Sequence, residues 1–111
     1  MARNLTVELL AEMGETIDEY DGLCGELADI LISKLGEDVV SILYIDGKEC
    51  DLRCGDHSWS YHMVPIVHGV VHDAWFPDLM LPPRQYLKAA FPKQRMRFSV
   101  VDSDGAVDGH L

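Results

Sequence analysis

The sequence predicts an α+β domain in which two N-terminal helices pack on a mainly antiparallel sheet, followed by one short late helix. Three observations carry that prediction. Apolar residues recur at helical spacing through the first third of the chain. A β-branched run replaces them after Gly36, and Pro, Gly and Asp-Gly then punctuate the chain at hairpin intervals.

Val7, Leu10, Ala11, Gly14 and Ile17 form one stripe, so a first helix is expected over residues 6–19, with Thr6 or Asn4 as its N-cap. Asp21-Gly22 reads as a break. A second helix is expected from about Leu23 to Leu35, with Gly36 as its C-terminal cap. Its Cys24, Leu27, Ala28, Ile30, Leu31 and Leu35 make the core-facing stripe. Residues 39–45 read as a strand ended by Asp46-Gly47, a favoured two-residue hairpin turn, with residues 48–54 returning beside it. Residues 55–58 read as loop. A second hairpin joins 61–67 to 70–75 through His68-Gly69, with Pro65 at an edge or bulge because it has no N–H to give a ladder. A Pro-punctuated loop, a helix over 83–90 started by Pro83, and a strand over 96–101 complete the domain. The Asp/Gly-rich tail over 102–111 is expected to fray.

At 111 residues the chain suits one domain spanning 1–111. Its 48% apolar and 25% charged content matches ordinary globular usage and argues against disorder. No apolar run approaches the roughly 20 residues of a membrane span. Met1-Ala2-Arg3-Asn4 leads straight into the amphipathic pattern without a signal-peptide core, which predicts a cytoplasmic protein and leaves export by another route open. The net charge of −10 disfavours general nucleic-acid binding, which relies on many cations. Arg84, Lys88, Lys93, Arg95 and Arg97 nevertheless fall in a stretch without an acid. That stretch offers a dock for an acidic protein partner, or more plainly a solvated face.

Three cysteines are an odd number for a disulfide framework, and no cofactor is indicated. Cys24 begins the expected second helix, where free N–H groups and the helix dipole favour a thiolate, and Gly22 and Gly25 leave room beside it. If His68-Gly69 is a two-residue turn, His62, Val64, Ile66, Val71, Asp73 and Trp75 project from one face of the hairpin. Asp73 is then a diagonal neighbour of His62, with His72 on the opposite face. A three-residue loop reverses that choice. The Cys24 stripe is expected to pack on the His62 face. A buried helix-face cysteine can equally be a small core hydrophobe, and a strand histidine purely structural. Cys50, Cys54, His57 and His62 also supply ligand types that zinc favours, at a spacing that matches no standard finger.

Gly22-Leu23-Cys24-Gly25-Glu26-Leu27-Ala28 resembles the nucleophile helix of papain-like and transglutaminase-like cysteine hydrolases. The segment from His62 to Trp75 is similar to their His strand, tight turn and Asp strand, and Pro82-Pro83-Arg84-Gln85-Tyr86-Leu87 to a helix of small papain-fold toxin or effector domains. The resemblance implies a papain-like core, with Cys24 as nucleophile, His62 as general base and then acid, and Asp73 orienting the imidazole. It implies a peptide or protein substrate with a reactive amide, cleaved or exchanged through a thioester. No glutamine precedes Cys24 to complete an oxyanion hole, which leaves that part to Tyr20 or a backbone N–H. A non-catalytic binding, inhibitor or adaptor module on the same frame is the alternative.

Overall fold

Asn4 is extended, and its side chain accepts from the backbone N–H groups of Thr6 and Val7, which caps α1 (Leu5–Glu12). The computed structural model describes residues 3–47, 52–54, 57–59 and 61–110, and in it α1 is shorter than the expected helix. Gly14 stops it. At φ +72°, Gly14 donates to the Ala11 carbonyl while Glu15 donates to that of Leu10, the paired closure of a left-handed helix end. The next helix, α2 (Ile17–Leu35), therefore starts well before Leu23 and runs through Asp21-Gly22 without a break. The intrinsic cost of glycine in a helix is about 1 kcal/mol. Burial of Tyr20, Cys24, Leu27, Ala28 and Leu31 along one stripe outweighs it. Gly36 ends α2 as expected, at φ +97° with its N–H on the Ile32 carbonyl at 2.8 Å.

The strands are β1 (Val40–Gly47), β2 (Leu52–Cys54), β3 (His57–Trp59), β4 (Tyr61–Val67), β5 (Val70–Val71), β6 (Met96–Asp102) and β7 (Gly105–His110), with α3 (Pro83–Ala90) between β5 and β6. Five form one sheet in the order β5-β4-β1-β6-β7, every neighbouring pair antiparallel. The α+β class is as expected, but the connections differ. Asp46-Gly47 does not turn. Asp46 pairs with Tyr61 on one side and Arg97 on the other, so β1 lies at the centre of the sheet between β4 and β6. The expected return over 48–54 has residues 48–51 outside the described residues, and Leu52–Cys54 pairs instead with His57–Trp59 in a separate two-stranded sheet. Residues 55 and 56 of the expected loop also lie outside the described residues.

The tail over 102–111 carries a strand rather than a frayed end. Asp102 accepts from the Asp104 N–H at 2.8 Å, Gly105 takes φ +126°, and β7 returns along β6 with Val107 opposite Val100. Gly109 lets the Phe98 ring lie against the backbone, where a Cβ would come within 2.5 Å of it. The Asp/Gly content of this segment encodes a turn.

Alternation along the strands divides the core. Leu43, Ile45, Val64, Ile66, Val71, Met96 and Phe98 meet Tyr86, Leu87, Ala90 and Phe91 of the α3 region. Val40 and Val67 meet Leu9, Leu10, Tyr20, Cys24, Leu27 and Leu31 of α1 and α2, with Met63 half-buried beside them. Pro65 offers its carbonyl to the His72 N–H at 3.0 Å, so its missing donor faces the side where β5 has already ended.

Gly14 has open space around it, so a methyl group there costs only backbone strain. Gly14→Ala is expected to lower stability by about 1–2 kcal/mol, read as a lower urea midpoint at unchanged slope.

Candidate functional site

His68 and Gly69 take φ 49° and 84°, the two left-handed positions of a type I′ turn. They fix the expected register, Val67 opposite Val70 and Ile66 opposite Val71. Beyond Val71 the expected strand over 70–75 gives way. The Asp73 carboxylate accepts from the Trp75 N–H at 2.9 Å and its carbonyl from the Phe76 N–H at 3.2 Å, so residues 73–76 make an Asx-type turn. The early end of β5 leaves the flank of β4 beside His62 open to side chains.

Three of them close on His62, which is fully buried. Its Nε2 donates to Asp73 Oδ2 at 3.0 Å. The Tyr20 ring stands edge-on to the imidazole with centroids 5.9 Å apart. The Cys24 thiol lies close enough to the imidazole, and to the backbone of Met63 and Gly25, for each to lower its pKa. With Nε2 engaged by Asp73, the nitrogen left for sulfur is Nδ1. The structure thus brings Cys24, His62 and Asp73 together, and the register selects His62 over His72 as the partner of the carboxylate.

The electrostatics follow from these contacts. Burial penalises the charged forms of Cys24, His62 and Asp73, but their neighbours outweigh it. Burial pushes the Cys24 thiol up, and His62 with the Met63 backbone draws it below its usual value. Burial pushes the His62 imidazole down, and the bond to Asp73 together with the nearby Cys24 raises it to about 9. Burial raises Asp73, and His62, Tyr86 and the Trp75 N–H hold it below the ordinary carboxylate range. These neighbours shift the balance toward a thiolate beside an imidazolium anchored on a carboxylate.

Two expectations about Cys24 are corrected. It is the eighth residue of α2, not near its start, so its own N–H lies beyond the first four free donors and joins the helix ladder. The helix N-terminus is not what lowers this thiol, and the Cys24 N–H is not an oxyanion donor. Nor does the α2 stripe pack on the His62 face. It clusters with Val40 and Val67, the alternate set, while Tyr20 and Cys24 approach the imidazole. Tyr20 is equally unsuited to an oxyanion hole. Its hydroxyl is buried without a hydrogen bond among the described residues, and burial with the neighbouring Asp73 raises it well above its usual value.

Sequence spacing gives no sign of Tyr86. Its hydroxyl donates to Asp73 Oδ2, the oxygen that also holds His62. The one available cue is the period of α3, which turns Tyr86, Leu87 and Ala90 inward. A second unforeseen set comes from the N-terminus. Leu5 N–H donates to His72 Nδ1 at 3.0 Å, Thr6 Oγ1 donates to the His72 carbonyl, and Asn4 Nδ2 donates to the Asp73 carbonyl at 3.0 Å. His72 is lowered from its ordinary value by burial and by nearby His68, as suits a ring that accepts a hydrogen bond.

Of the proposed zinc ligands, Cys50 lies outside the described residues, as do the side chains of Cys54 and His57, while His62 is engaged by Asp73. In the basic stretch, Arg84 lies over the Phe98 ring at 5.3 Å and Arg97 pairs with Asp46 at 3.0 Å, so two of its charges already have partners within the chain. No helix among the described residues is long and apolar enough to cross a membrane. Comparison with protein-family models, curated proteins and solved structures returned no match.

Tyr86→Phe removes one donor from a carboxylate that is only 1% exposed. The variant is expected to lose about 1–3 kcal/mol in denaturant unfolding, because the remaining donors must carry a buried charge.

Proposed function

We propose that this protein is a small cysteine hydrolase with a papain-like core that cleaves an amide bond through a thioester. The observation that carries the reading is the contact of His62 Nε2 with Asp73 Oδ2 at 3.0 Å, which leaves Nδ1 for a thiol already drawn toward ionisation. The Cys24 thiolate attacks the amide carbonyl carbon and forms a C–S bond. The His62 imidazolium delivers its proton to the leaving nitrogen as the C–N bond breaks. Water then attacks the thioester, His62 takes a proton from it, and the thiolate departs with release of a carboxylic acid. Asp73 keeps the imidazole in one tautomer and orientation throughout. A peptide bond or a side-chain amide such as that of glutamine fits this sequence of steps.

The engagement of the Cys24 N–H within α2 favours a second reading, a binding module that keeps this frame without turnover. Cysteine reactivity separates the two. Peptide mass spectrometry after iodoacetamide treatment is expected to find Cys24 alkylated well below the free-thiol pKa of about 8.5, faster than Cys50 and Cys54, with the advantage lost in His62→Ala. The ion pair exists above the lowered thiol pKa and below the imidazolium pKa of about 9, so amide turnover should form a bell whose alkaline limb falls near that value. Cys24→Ala should reduce turnover at least about 1000-fold. Equal, slow labelling of all three cysteines in the folded chain would sink the hydrolase reading in favour of the binding module.

A further inference from the structure

We propose that Asn4 is a positioning residue for Asp73, and that the N-terminus of α1 is a clasp which holds the carboxylate in line with His62. The inference rests on the hydrolase reading for its functional meaning, and on hydrogen bonding for its substance. Asn4 is 8% exposed and uses both ends of its amide. The oxygen accepts from Thr6 N–H at 3.1 Å and Val7 N–H at 3.0 Å. The nitrogen donates to the Asp73 carbonyl at 3.0 Å and to the Pro77 carbonyl at 3.4 Å, so it spans the turn that presents the carboxylate.

Helix capping explains only half of this residue. An acceptor at position 4 caps α1, and serine or threonine would supply one with little loss. Neither can cap the helix while also sending two N–H donors across to a distant turn. The turn needs such a hold. The β4–β5 ladder stops at Val71, and beyond it the backbone is bound by the His72 N–H on Pro65 and by the turn's own bonds. Leu5 and Thr6 grip His72 just beyond the strand end, so three consecutive residues of the α1 entry hold His72 and Asp73, the last residue before the turn and its first. A lateral drift of Asp73 weakens the 3.0 Å contact that orients His62 through Nε2.

The test is the titration of His62, followed by NMR of its ring in the full chain, for wild type, Asn4→Ser, Asn4→Thr and Asn4→Ala. Ser and Thr keep the cap and remove the two donors; Ala removes both. A clasp predicts that Ser and Thr leave the melting temperature within a few degrees of wild type yet lower the proton affinity of His62 about tenfold. It also predicts a lower kcat at unchanged KM on any amide substrate. Wild-type titration in the Ser and Thr variants, with a change only in Ala, would reduce Asn4 to a helix cap and overturn the proposal. Because ring titration needs no substrate, failure of the hydrolase reading appears separately, as an inert Cys24 in the wild-type protein.

Discussion

A carboxylate that is 1% exposed and held below its ordinary pKa organises this molecule. Removing an ionised carboxylate from water costs several kcal/mol unless donors replace the lost hydration. Asp73 obtains them from three directions: His62 on β4, Tyr86 on α3 and the Trp75 N–H of its own turn. Its backbone carbonyl receives a further donor from Asn4 at the entry to α1. The two core clusters meet at this point, since Trp75 packs against both. Breaking one contact to Asp73 therefore loosens a junction between elements as well as a single bond.

The thiol illustrates which of two electrostatic effects wins. On sequence, a cysteine at a helix start draws its acidity from the dipole, an effect worth about 0.3–1 kcal/mol that fades within the first turn. Cys24 is two turns in, where that contribution has faded. A neighbouring cationic imidazole, shielded from water, is the larger effect at short range. Placing the thiol within the helix fixes its direction through packing of Tyr20, Leu27 and Leu31 along the same stripe. The imidazole then does what the helix end was expected to do.

Much of the site was legible because it rests on local chemistry. His68-Gly69 specifies a type I′ turn, the turn specifies the register, and the register chooses His62 over His72. The α3 boundaries and the Gly36 stop follow equally from proline and glycine at helix ends. Legibility failed where one local signal has two solutions. Asp46-Gly47 and Asp104-Gly105 look alike, yet the first continues a central strand and the second turns a hairpin. Gly14 fits a helical stripe by spacing and ends the helix by conformation. Tyr86 and Asn4 reach Asp73 across 13 and 69 residues, and no periodicity carries information over such separations.

The short length of β5 explains why the site exists at this place. Had the ladder continued to Trp75, as a β-rich hairpin allows, strand pairing would have occupied the flank of β4 level with His62. Ending the strand at Val71 lets Asp73 fold back as the acceptor of its own turn, and lets Tyr20 and Cys24 of α2 approach the imidazole. A strand end released from its ladder also loses the hydrogen bonds that would have fixed it. The helix α1 replaces them from outside the sheet, through Asn4, Leu5 and Thr6. The N-terminal helix is thus required by the termination of β5, and that termination is in turn required to bring a thiol, an imidazole and a carboxylate within reach of one another.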